Sequence, residues 1–443
     1  MNIVEAYQKK LAISEKVYAK EHGGRALNES KKIAIARVLA NTSEYITEAF
    51  DGTTATQLSN MKTFKKFCLD LTTVALPSLI ANDLVIVYPL KSRTGYIQYL
   101  QFAAGDAKGG VGQGELFNDP FKLGQMTDER VNYTAAKVVE AITDGMTKVA
   151  WGPVVAASGK FLNDANEEVE GGTFNADGTF TAPEGATKVA YEYDNIAIPQ
   201  NKIPHLTARM EGIELAAKAR RIAVYYSQMA AFQAKTEMGI DLGEILATQA
   251  CAELSYEIDT EVVKMLVDNA TAPEDKSTTW NKACPVGVSK RDHYAGFAEV
   301  IEIGSQVIYD RTQKHAANYM IIASNIKPVL AMMEGWKAAN TAKMNGPYYA
   351  GELNGIKVYV SPAIKAGKYV LGYNGGDMIT SAAVYAPYMA IVPTQLLGFA
   401  DGAMSQGFST LYDLKLLNPA LLVAGEVTNV TPEFEAIHGV AQA

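Results

Sequence analysis

The stretch Met238–Ala270, MGIDLGEILATQACAELSYEIDTEVVKMLVDNA, carries the most regular pattern in the chain. Its apolar residues recur at steps of three and four, the spacing of one helix face. They are Ile240, Leu242, Ile245, Leu246, Leu254, Ile258, Val262, Met265 and Leu266. The charged residues fall mostly between them: Glu244, Glu253, Glu257, Asp259, Glu261 and Lys264. The pattern predicts an amphipathic helix over 241–268.

This helix would be roughly 40 Å long, more than twice the usual length. Asp241 is a plausible N-cap, and Glu244 stands three residues further on. So long a helix serves as a coiled-coil arm, a bundle member or the spine of a domain. Its apolar residues do not form a sustained heptad and strand-like segments flank it, which favours a spine packed on a sheet.

Composition predicts an ordered protein with one large core or two to three modest ones. The chain has 443 residues, of which 48% are hydrophobic and 20% charged, and its net charge is -8. This balance disfavours sequence-specific nucleic-acid binding, because there is no basic footprint for phosphates. The three cysteines, Cys68, Cys251 and Cys284, form no C-x-x-C pair, which indicates folding in a reducing cytosol without a zinc knuckle.

Neither export nor membrane insertion is expected. Charges interrupt every apolar run of the N-terminal MNIVEAYQKKLAISEK, so no signal peptide is predicted. The longest uncharged stretch, 378–400, contains Pro387 and Pro393, which would leave backbone groups unpaired in lipid.

Residues 1–60 are interpreted as an N-terminal arm. Two helical segments are broken at His22-Gly23-Gly24, and the polar run 51–60 is typical of a linker. The arm either lies on something else or forms a helical hairpin packed on its own domain. The sequence leaves both open.

A glycine-rich excursion follows a predicted helix over 61–79 and predicted strands over 84–90 and 94–102. Its sequence over 103–120 is AAGDAKGGVGQGELFNDP, without G-x-G-x-x-G or a P-loop, so nucleotide binding is disfavoured. We predict a flexible, projecting loop used for contact. Its glycines are Gly105, Gly109, Gly110, Gly112 and Gly114.

Residues 147–195 change character and predict a small antiparallel hairpin module with a turn at Asp177-Gly178. The module interrupts the surrounding pattern, so we interpret it as an insertion. A surface elaboration without its own ligand is the default, and a carbohydrate-binding or decoration role is the alternative.

A basic cluster, Lys218, Arg220 and Arg221, lies on the strand-like segment that precedes the acidic long helix. Complementary charge between neighbouring elements or subunits is one explanation. An ordinary solvated edge is the other.

Residues 290–425 predict an α+β domain. A helix is expected over 292–315, a strand over 319–323 and a short helix capped by Ser324. The segment GELNGIKVYVSP, with Asn354-Gly355 between two strands, is the strongest hairpin signal in the chain. A polar loop is expected over 273–290.

No catalytic motif is present in the sequence. The five histidines, His22, His205, His293, His315 and His438, are scattered without metal-ligand spacing, and no G-x-S-x-G occurs. We therefore predict no catalytic residue, no cofactor and no metal site. A cytosolic enzyme whose site is assembled from distant residues stays open as the alternative class.

Several ordered motifs resemble the major capsid proteins of tailed phages of the T-even type. The longest is AKARRIAVYYSQMAAFQAKTEMGIDLGEILATQACAELSYEIDTEVV, over 217–263, which is similar to the family's A-K-S-R strand, G-L-D turn and I-L-S-T-E-I-L-A-E-I helix. Further similar segments are LPSLIANDLVIVYPLKSRTG, NYMIIASNIKPVLAM, AGELNGIKVY, AAVYAPYMAIVP and GFSTLYDLKLLNP. The usual P-T-G has become Arg93-Thr94-Gly95.

The resemblance implies an α+β Hong Kong 97-type phage capsid fold. Its implied parts are an N-terminal arm (1–60), a peripheral domain (61–90 and 205–289) with spine helix 241–268, an extended loop (91–140), an axial domain (290–425) and a C-terminal tail (426–443). The β-rich insertion (141–204) matches no segment of the family. Assembly contacts are expected at the loop glycines and at Lys218, Arg220, Arg221, Glu253 and Glu257.

The implied function is a virion shell protein that forms hexamers and pentamers of an icosahedral head around double-stranded DNA. Implied partners are copies of itself and portal, scaffold and decoration proteins, with folding in the host bacterial cytoplasm. A vertex or encapsulin-type shell protein of the same fold is the alternative within the class. Leu27-Asn28-Glu29 and Ile13-Ser14-Glu15 fit the family's short processing motif, and we predict that neither is cleaved.

Overall fold

The predicted long helix runs from Leu242 to Asp268 in the computed structural model of the chain. The structure describes residues 3–49, 55–108, 112–114, 133–143, 145–155, 158–198, 203–239, 242–273, 277–312, 314–339, 346–378, 380–394, 397–399 and 402–429. The chain divides into two units, one made of residues 1–97 and 213–443 and the other of residues 98–212. We call them the main unit and the inserted unit.

Helices occur mainly in the N-terminal part and around the long helix. They are α1 (Ile3–Ala6), α2 (Gln8–Glu21), α3 (Glu29–Ala49), α4 (Ala55–Ser78), α5 (Ala81–Leu84), α6 (Gln228–Gln233) with a π-helical turn (Ala234–Met238), α7 (Leu242–Asp268), α8 (Lys290–Thr312) and α9 (Lys327–Leu330), with a 3-10 turn at Pro419–Leu421.

Strands occupy both units. They are β1 (Ile86–Val87), β2 (Thr94–Ala104), β3 (Lys137–Ala141), β4 (Lys160–Leu162), β5 (Thr173–Phe174), β6 (Phe180–Thr181), β7 (Lys188–Glu192), β8 (Leu206–Ala216), β9 (Lys218–Ser227), β10 (Thr279–Asn281), β11 (Tyr319–Ala323), β12 (Trp336–Ala338), β13 (Tyr348–Leu353), β14 (Ile356–Ser361), β15 (Lys368–Gly372), β16 (Ala383–Pro393), β17 (Leu397–Gly398), β18 (Ala403–Leu416) and β19 (Leu422–Thr428). The predicted mixed helix-and-strand class is confirmed.

The N-terminal helices pack on their own unit. Leu11, Tyr18 and Leu39 are buried in one apolar cluster with Leu69 of α4, and Ile46 is buried beside Cys68 in a second cluster with residues of β16. The hairpin alternative therefore describes residues 3–49, and the role of 1–60 as an arm that contacts neighbouring subunits stays a prediction. The predicted linker is wrong for 55–60, because α4 begins at Ala55.

The sheet that carries α7 has the strand order β1-β16-β18-β17, with β9 paired to β18. The β9–β18 ladder is antiparallel and runs from Ala403 opposite Ser227 to Tyr412 opposite Lys218. Ala247, Ala250 and Leu254 of α7 pack with Phe408 and Ile391 of the sheet. The favoured role of α7, a spine on its own sheet, matches this packing.

A second sheet of the main unit has the order β10-β19-β15-β11-β14-β13-β12. Helix α8 lies close to its strands β10, β15 and β19. At Gly304 of α8 a Cβ atom would lie 2.4 Å from a Leu371 methyl carbon, so a larger residue would require the Leu371 side chain to shift. The predicted hairpin turn is present, with φ of 49° at Asn354 and 88° at Gly355, as a type I′ turn requires.

Several expectations for 273–425 are wrong in detail. Strands β16 and β18 belong to the α7 sheet and not to the second sheet, because β18 pairs with β16 and, over 403–412, with β9. Residues 290–425 therefore contribute to both sheets of the main unit, and their assignment as one axial domain stays a prediction. The polar loop 273–290 contains β10, and Ile326, not Ser324, is the N-cap of α9. The strand predicted over 84–90 shortens to β1.

The inserted unit has its own core. Strand β7 pairs with β3 on one side and β4 on the other, and β5 pairs with β6. The buried residues are Val138, Val149, Trp151, Phe161, Phe180, Val189, Tyr191, Tyr193 and Ile198. The antiparallel module predicted for 147–195 is thus observed, with β3 added to it.

Candidate assembly surfaces

Helix α7 buries one face, but the residues buried on that face are not all the ones that the sequence predicted. Leu254, Ile258 and Val262 are buried as expected, whereas Ile245 is 49% exposed. Asp259, predicted to be solvated, is 8% exposed, and its carboxylate accepts a hydrogen bond from the Ala81 N–H at 3.1 Å. Burial raises the pKa of Asp259 to about 7 despite the backbone N–H groups of Ala81 and Ile80.

The basic cluster meets the acidic helix within one chain at a single arginine. Arg220 of β9 lies 2.5 Å from Glu261 and 3.9 Å from Glu257 of α7. The Tyr412 hydroxyl donates to the same Glu261 carboxylate at 2.5 Å. The explanation by complementary charge on neighbouring elements therefore holds for Arg220. The side chains of Arg220, Glu257 and Glu261 are 39%, 47% and 39% exposed, so each ion pair contributes little to stability.

The other predicted charged contacts point outward. Lys218, Arg221 and Glu253 are exposed. Arg221 lies one residue from Arg220 on a strand, and successive strand side chains point to opposite faces. The structure therefore brings Arg220 and Glu257 together and leaves the other three on the surface.

The glycine-rich loop closes on its own start over the described residues. The Gly114 N–H donates to the Ala104 carbonyl at 2.8 Å, and the Gly105 N–H donates to the His205 carbonyl at 2.8 Å. A Cβ at Gly105 would lie 2.3 Å from the His205 ring. These hydrogen bonds hold Gly105 and Gly114 against residues of the inserted unit, and the flexible, projecting loop stays a prediction. Gly109 and Gly110 lie outside the described residues, and Gly112 is described.

Lys108 joins this loop to the core of the inserted unit. It is 3% exposed, and its Nζ donates to the Ala135 carbonyl at 2.7 Å and the Tyr193 hydroxyl at 2.6 Å. The ammonium also lies 5.2 Å from the Trp151 ring centroid. Burial lowers the pKa of Lys108 to about 8. A cationic side chain thus fixes the loop by hydrogen bonds and ring contacts.

The sequence did not predict the most strongly connected polar site of the main unit, which we call the Asp83 cluster. Asp83 is 3% exposed and accepts hydrogen bonds from Tyr18 (2.5 Å), His22 (2.8 Å), Arg25 (3.2 Å), Lys31 (2.8 Å) and Tyr359 (2.9 Å). Asp83 immediately precedes the strand predicted over 84–90, and an acidic residue at such a position is ordinarily solvated. The available signal was the presence of three basic side chains, His22, Arg25 and Lys31, within ten residues.

The electrostatics of the cluster keep Asp83 ionised. Burial alone would raise the pKa of Asp83, but the His22 hydrogen bond and the charges of His22, Lys31 and Arg25 hold it well below its usual range. Both ring nitrogens of His22 face acceptors, namely Asp83 at 2.8 Å and the Pro77 carbonyl at 3.1 Å. The cluster therefore ties the N-terminal hairpin to α5 and to β14 of the second sheet.

Four of the five histidines lie in the described part of the chain, each beside a different partner. Within it, no group of three or more His, Cys, Asp or Glu side chains is placed to hold a metal ion. His22 and His205 pair with Asp83 and Asp106, and His293 and His315 stack on Trp280 and Tyr373. Of the helices whose residues are described, none has the length and apolarity needed to cross a bilayer.

Comparison with known sequences gives the class of the protein. The chain is 23% identical over 394 residues to the major capsid protein of Enterobacteria phage T4, covering 78% of this chain and 73% of that protein. It is 21% identical over 370 residues to the major capsid protein of Serratia phage KSP90, covering 80% and 78%. These relatives are phage major capsid proteins.

The family follows from the family model described as "Major capsid protein Gp23", which matches residues 61–434. The chain belongs to this family of phage major capsid proteins. It is a structural component of the virion, and the T-even resemblance seen in its motifs is confirmed.

Similar solved structures include a chain from Mycobacterium phage Adephagia and one from the mature capsid of bacteriophage PhiM1. The first has a TM-score of 0.37 and 10% identity, covering 79% of this chain and 89% of that chain. The second has a TM-score of 0.36 and 12% identity, covering 52% and 77%. Similarity at this level adds nothing to the family assignment.

Proposed function

We propose that this major capsid protein assembles into hexamers and pentamers, which build an icosahedral phage head around packaged double-stranded DNA. The observation that carries the proposal is the family match over residues 61–434, which spans the long helix, both sheets of the main unit and the inserted unit. Many modest contacts repeated over a closed shell provide stability by multivalency.

The parts take the roles of a Hong Kong 97-type capsid subunit in this proposal. The α7 sheet, including β16 and β18, is the peripheral domain, and the second sheet with α8 is the axial domain at the centre of each ring. The segment 91–140 is the extended loop and 141–204 an insertion on it. Residues 3–49 are docked on their own unit, so they stabilise the subunit before any contact with neighbours.

Charge supports a passive relation to the packaged DNA. The net charge of -8 gives no reason for tight binding to phosphates, and weak binding allows packaging and release. Portal, scaffold and decoration proteins are the further partners in this account, and the chain acts by assembly rather than catalysis. Folding takes place in the host bacterial cytoplasm.

Assembly of the purified full-length protein tests the proposal. We expect rings, sheets or shells by size-exclusion chromatography and negative-stain electron microscopy as the protein concentration rises. Stable monomers or dimers at every concentration, together with a turnover activity, would overturn it.

Exposed charges test the assigned surfaces. Lys218→Glu and Glu253→Lys should leave the melting temperature of the free subunit unchanged but weaken assembly, because both residues are exposed. Arg220→Gln is the matched control for an ion pair made inside one chain. Wild-type assembly by both charge reversals would remove these residues from the contact surface. Intact-mass measurement on shells would show a start at Lys16 or Ser30 if the predicted absence of processing were wrong.

A further inference from the structure

The corner of the main unit where β9 ends and α6 begins exposes a group of large apolar side chains. Six of them are between 51% and 70% exposed: Tyr225, Met229, Phe232, Met238, Leu397 and Phe399. We call this set the apolar corner. Scattered exposed apolar residues are normal on a soluble protein, whereas six on the segments that meet at one strand–helix junction call for an explanation.

Strand register brings the two chain segments of the apolar corner together. Tyr225 of β9 pairs with Ser405 of β18, and Ser405 pairs with Leu397 of β17. Residues directly opposite each other in antiparallel strands point to the same face. Tyr225 and Leu397 therefore share one face of the sheet, one strand apart.

Backbone hydrogen bonds fix the corner. The Gln228 N–H donates to the Gly402 carbonyl at 2.9 Å, and the Phe399 N–H donates to the Ala403 carbonyl at 2.8 Å. The Ser227 hydroxyl caps α6 by accepting from the Met229 N–H. A surface ordered in advance loses little entropy on binding, which favours association.

The exposed area is large enough for a specific contact. An aromatic or methionine side chain has an area on the order of 200 Å², so six that are more than half exposed present roughly 700 Å². A stable interface takes about 800 Å² from each partner, and the largest patch on a typical monomer is about 300–600 Å². The corner thus provides most of one side of such an interface.

The charge of the corner selects the kind of partner. Its described residues over 225–239, 397–399 and 402–405 include one lysine and one glutamate, Lys235 and Glu237, and so have no net charge. A neutral apolar surface does not suit the phosphates of DNA, which require cationic side chains. It does suit a protein surface of the same chemistry, since two neutral surfaces meet without like-charge repulsion.

We propose that the apolar corner is a subunit–subunit contact covered by a second copy of this chain in the assembled particle. This inference rests on the proposed function, because a shell places many copies of one chain side by side. It adds to that function by naming a contact surface that does not include Lys218, Arg221, Glu253 or the glycine-rich loop.

Substitution of Phe232, which is 66% exposed, tests the contact in the full-length protein. Phe232→Asp should fold with an unchanged melting temperature, because its side chain is not part of the core. The association constant of each contact should fall at least tenfold, because a large apolar side chain is lost and a charge is placed in the interface. Phe232→Leu is the matched control and should assemble like the wild type.

The outcomes separate this contact from the proposed function. Assembly of Phe232→Asp with the concentration dependence of the wild type would overturn the contact and leave the proposed function intact. Failure of the wild type itself to form rings or shells would overturn both. As a second readout, the backbone amides of 225–233 should exchange with deuterium more slowly in particles than in free subunits, and equal exchange would refute the contact.

Discussion

The Asp83 cluster gives the most quantitative prediction about the subunit, and its test is Asp83→Asn. This variant removes the one negative charge that faces His22, Arg25 and Lys31. Asp83 and His22 are 3% and 1% exposed, so water cannot replace the lost partner. The amide also turns one acceptor oxygen into a donor that faces other donors.

The expected loss in the free energy of unfolding follows from the burial of Asp83 and His22. Removing one partner of a buried, hydrogen-bonded ion pair destabilises a protein by about 3–5 kcal/mol. That is a large part of the roughly 5–15 kcal/mol that holds a domain folded. The first consequence should be release of the N-terminal hairpin, because Tyr18, His22, Arg25 and Lys31 all lie in residues 18–31.

Urea unfolding of dissociated subunits at neutral pH measures the cost, and hydrogen exchange of residues 8–49 shows where it falls. Asp70→Asn is the matched control: Asp70 is 51% exposed and pairs with Lys10 at 2.6 Å, so about 0–1 kcal/mol is expected. A loss in Asp83→Asn no greater than in Asp70→Asn would refute the reasoning.

The pH dependence of stability tests whether the charge of Asp83 is the cause of this loss. Because the folded-state pKa of Asp83 is held below its ordinary value, its contribution is fully present above pH 4 and is lost as pH falls through the folded-state pKa. The difference in stability between wild type and Asp83→Asn should therefore shrink in strong acid. A difference that stays constant down to complete acid unfolding would contradict the assignment of charge as the cause.

Three further predictions concern α7 and the inserted unit. Leu254→Asp should abolish soluble folded protein, with a cost above about 4 kcal/mol, since Leu254 is 2% exposed in the α7 core; circular dichroism checks this, with Glu253→Asp as the folded control. The folded-state pKa of Asp259 is about 7 against an ordinary 3.8, so the wild type should lose stability on the order of 4 kcal/mol as pH rises from about 4 to 7. Asp259→Asn should remove this loss. Parallel curves of stability against pH for the two proteins over this range would contradict the prediction. Lys108→Met should destabilise the inserted unit by about 1–3 kcal/mol by leaving the Ala135 carbonyl and the Tyr193 hydroxyl without their donor; unchanged amide exchange over 160–192 would refute this.

Local patterns predicted the parts of the fold that depend on neighbouring residues. The three- and four-residue spacing of apolar residues predicted α7 within one residue at its start, and Asn354-Gly355 predicted the β13–β14 turn. These succeed because helix faces and two-residue turns are set by nearby side chains. The family motifs then supplied the function, which no single element indicates.

The differences between the predicted and the observed structure come from contacts between residues far apart in the sequence. Asp83 binds Lys31 across 52 residues and Tyr359 across 276 residues, and no local pattern shows that such groups meet. Strand β18 carries an ordinary strand pattern, but its pairing with β9 places it in the α7 sheet. Asp259 reads as a surface residue because its role, accepting from the Ala81 N–H, lies 178 residues away.

Cryo-electron microscopy of the particles formed by the purified full-length protein would show whether copies of this chain close into a shell. We expect closed icosahedral particles whose rings contain six and five copies of this chain. Particles without such rings, or a protein that stays monomeric under every condition in which its folded state is verified, would contradict it.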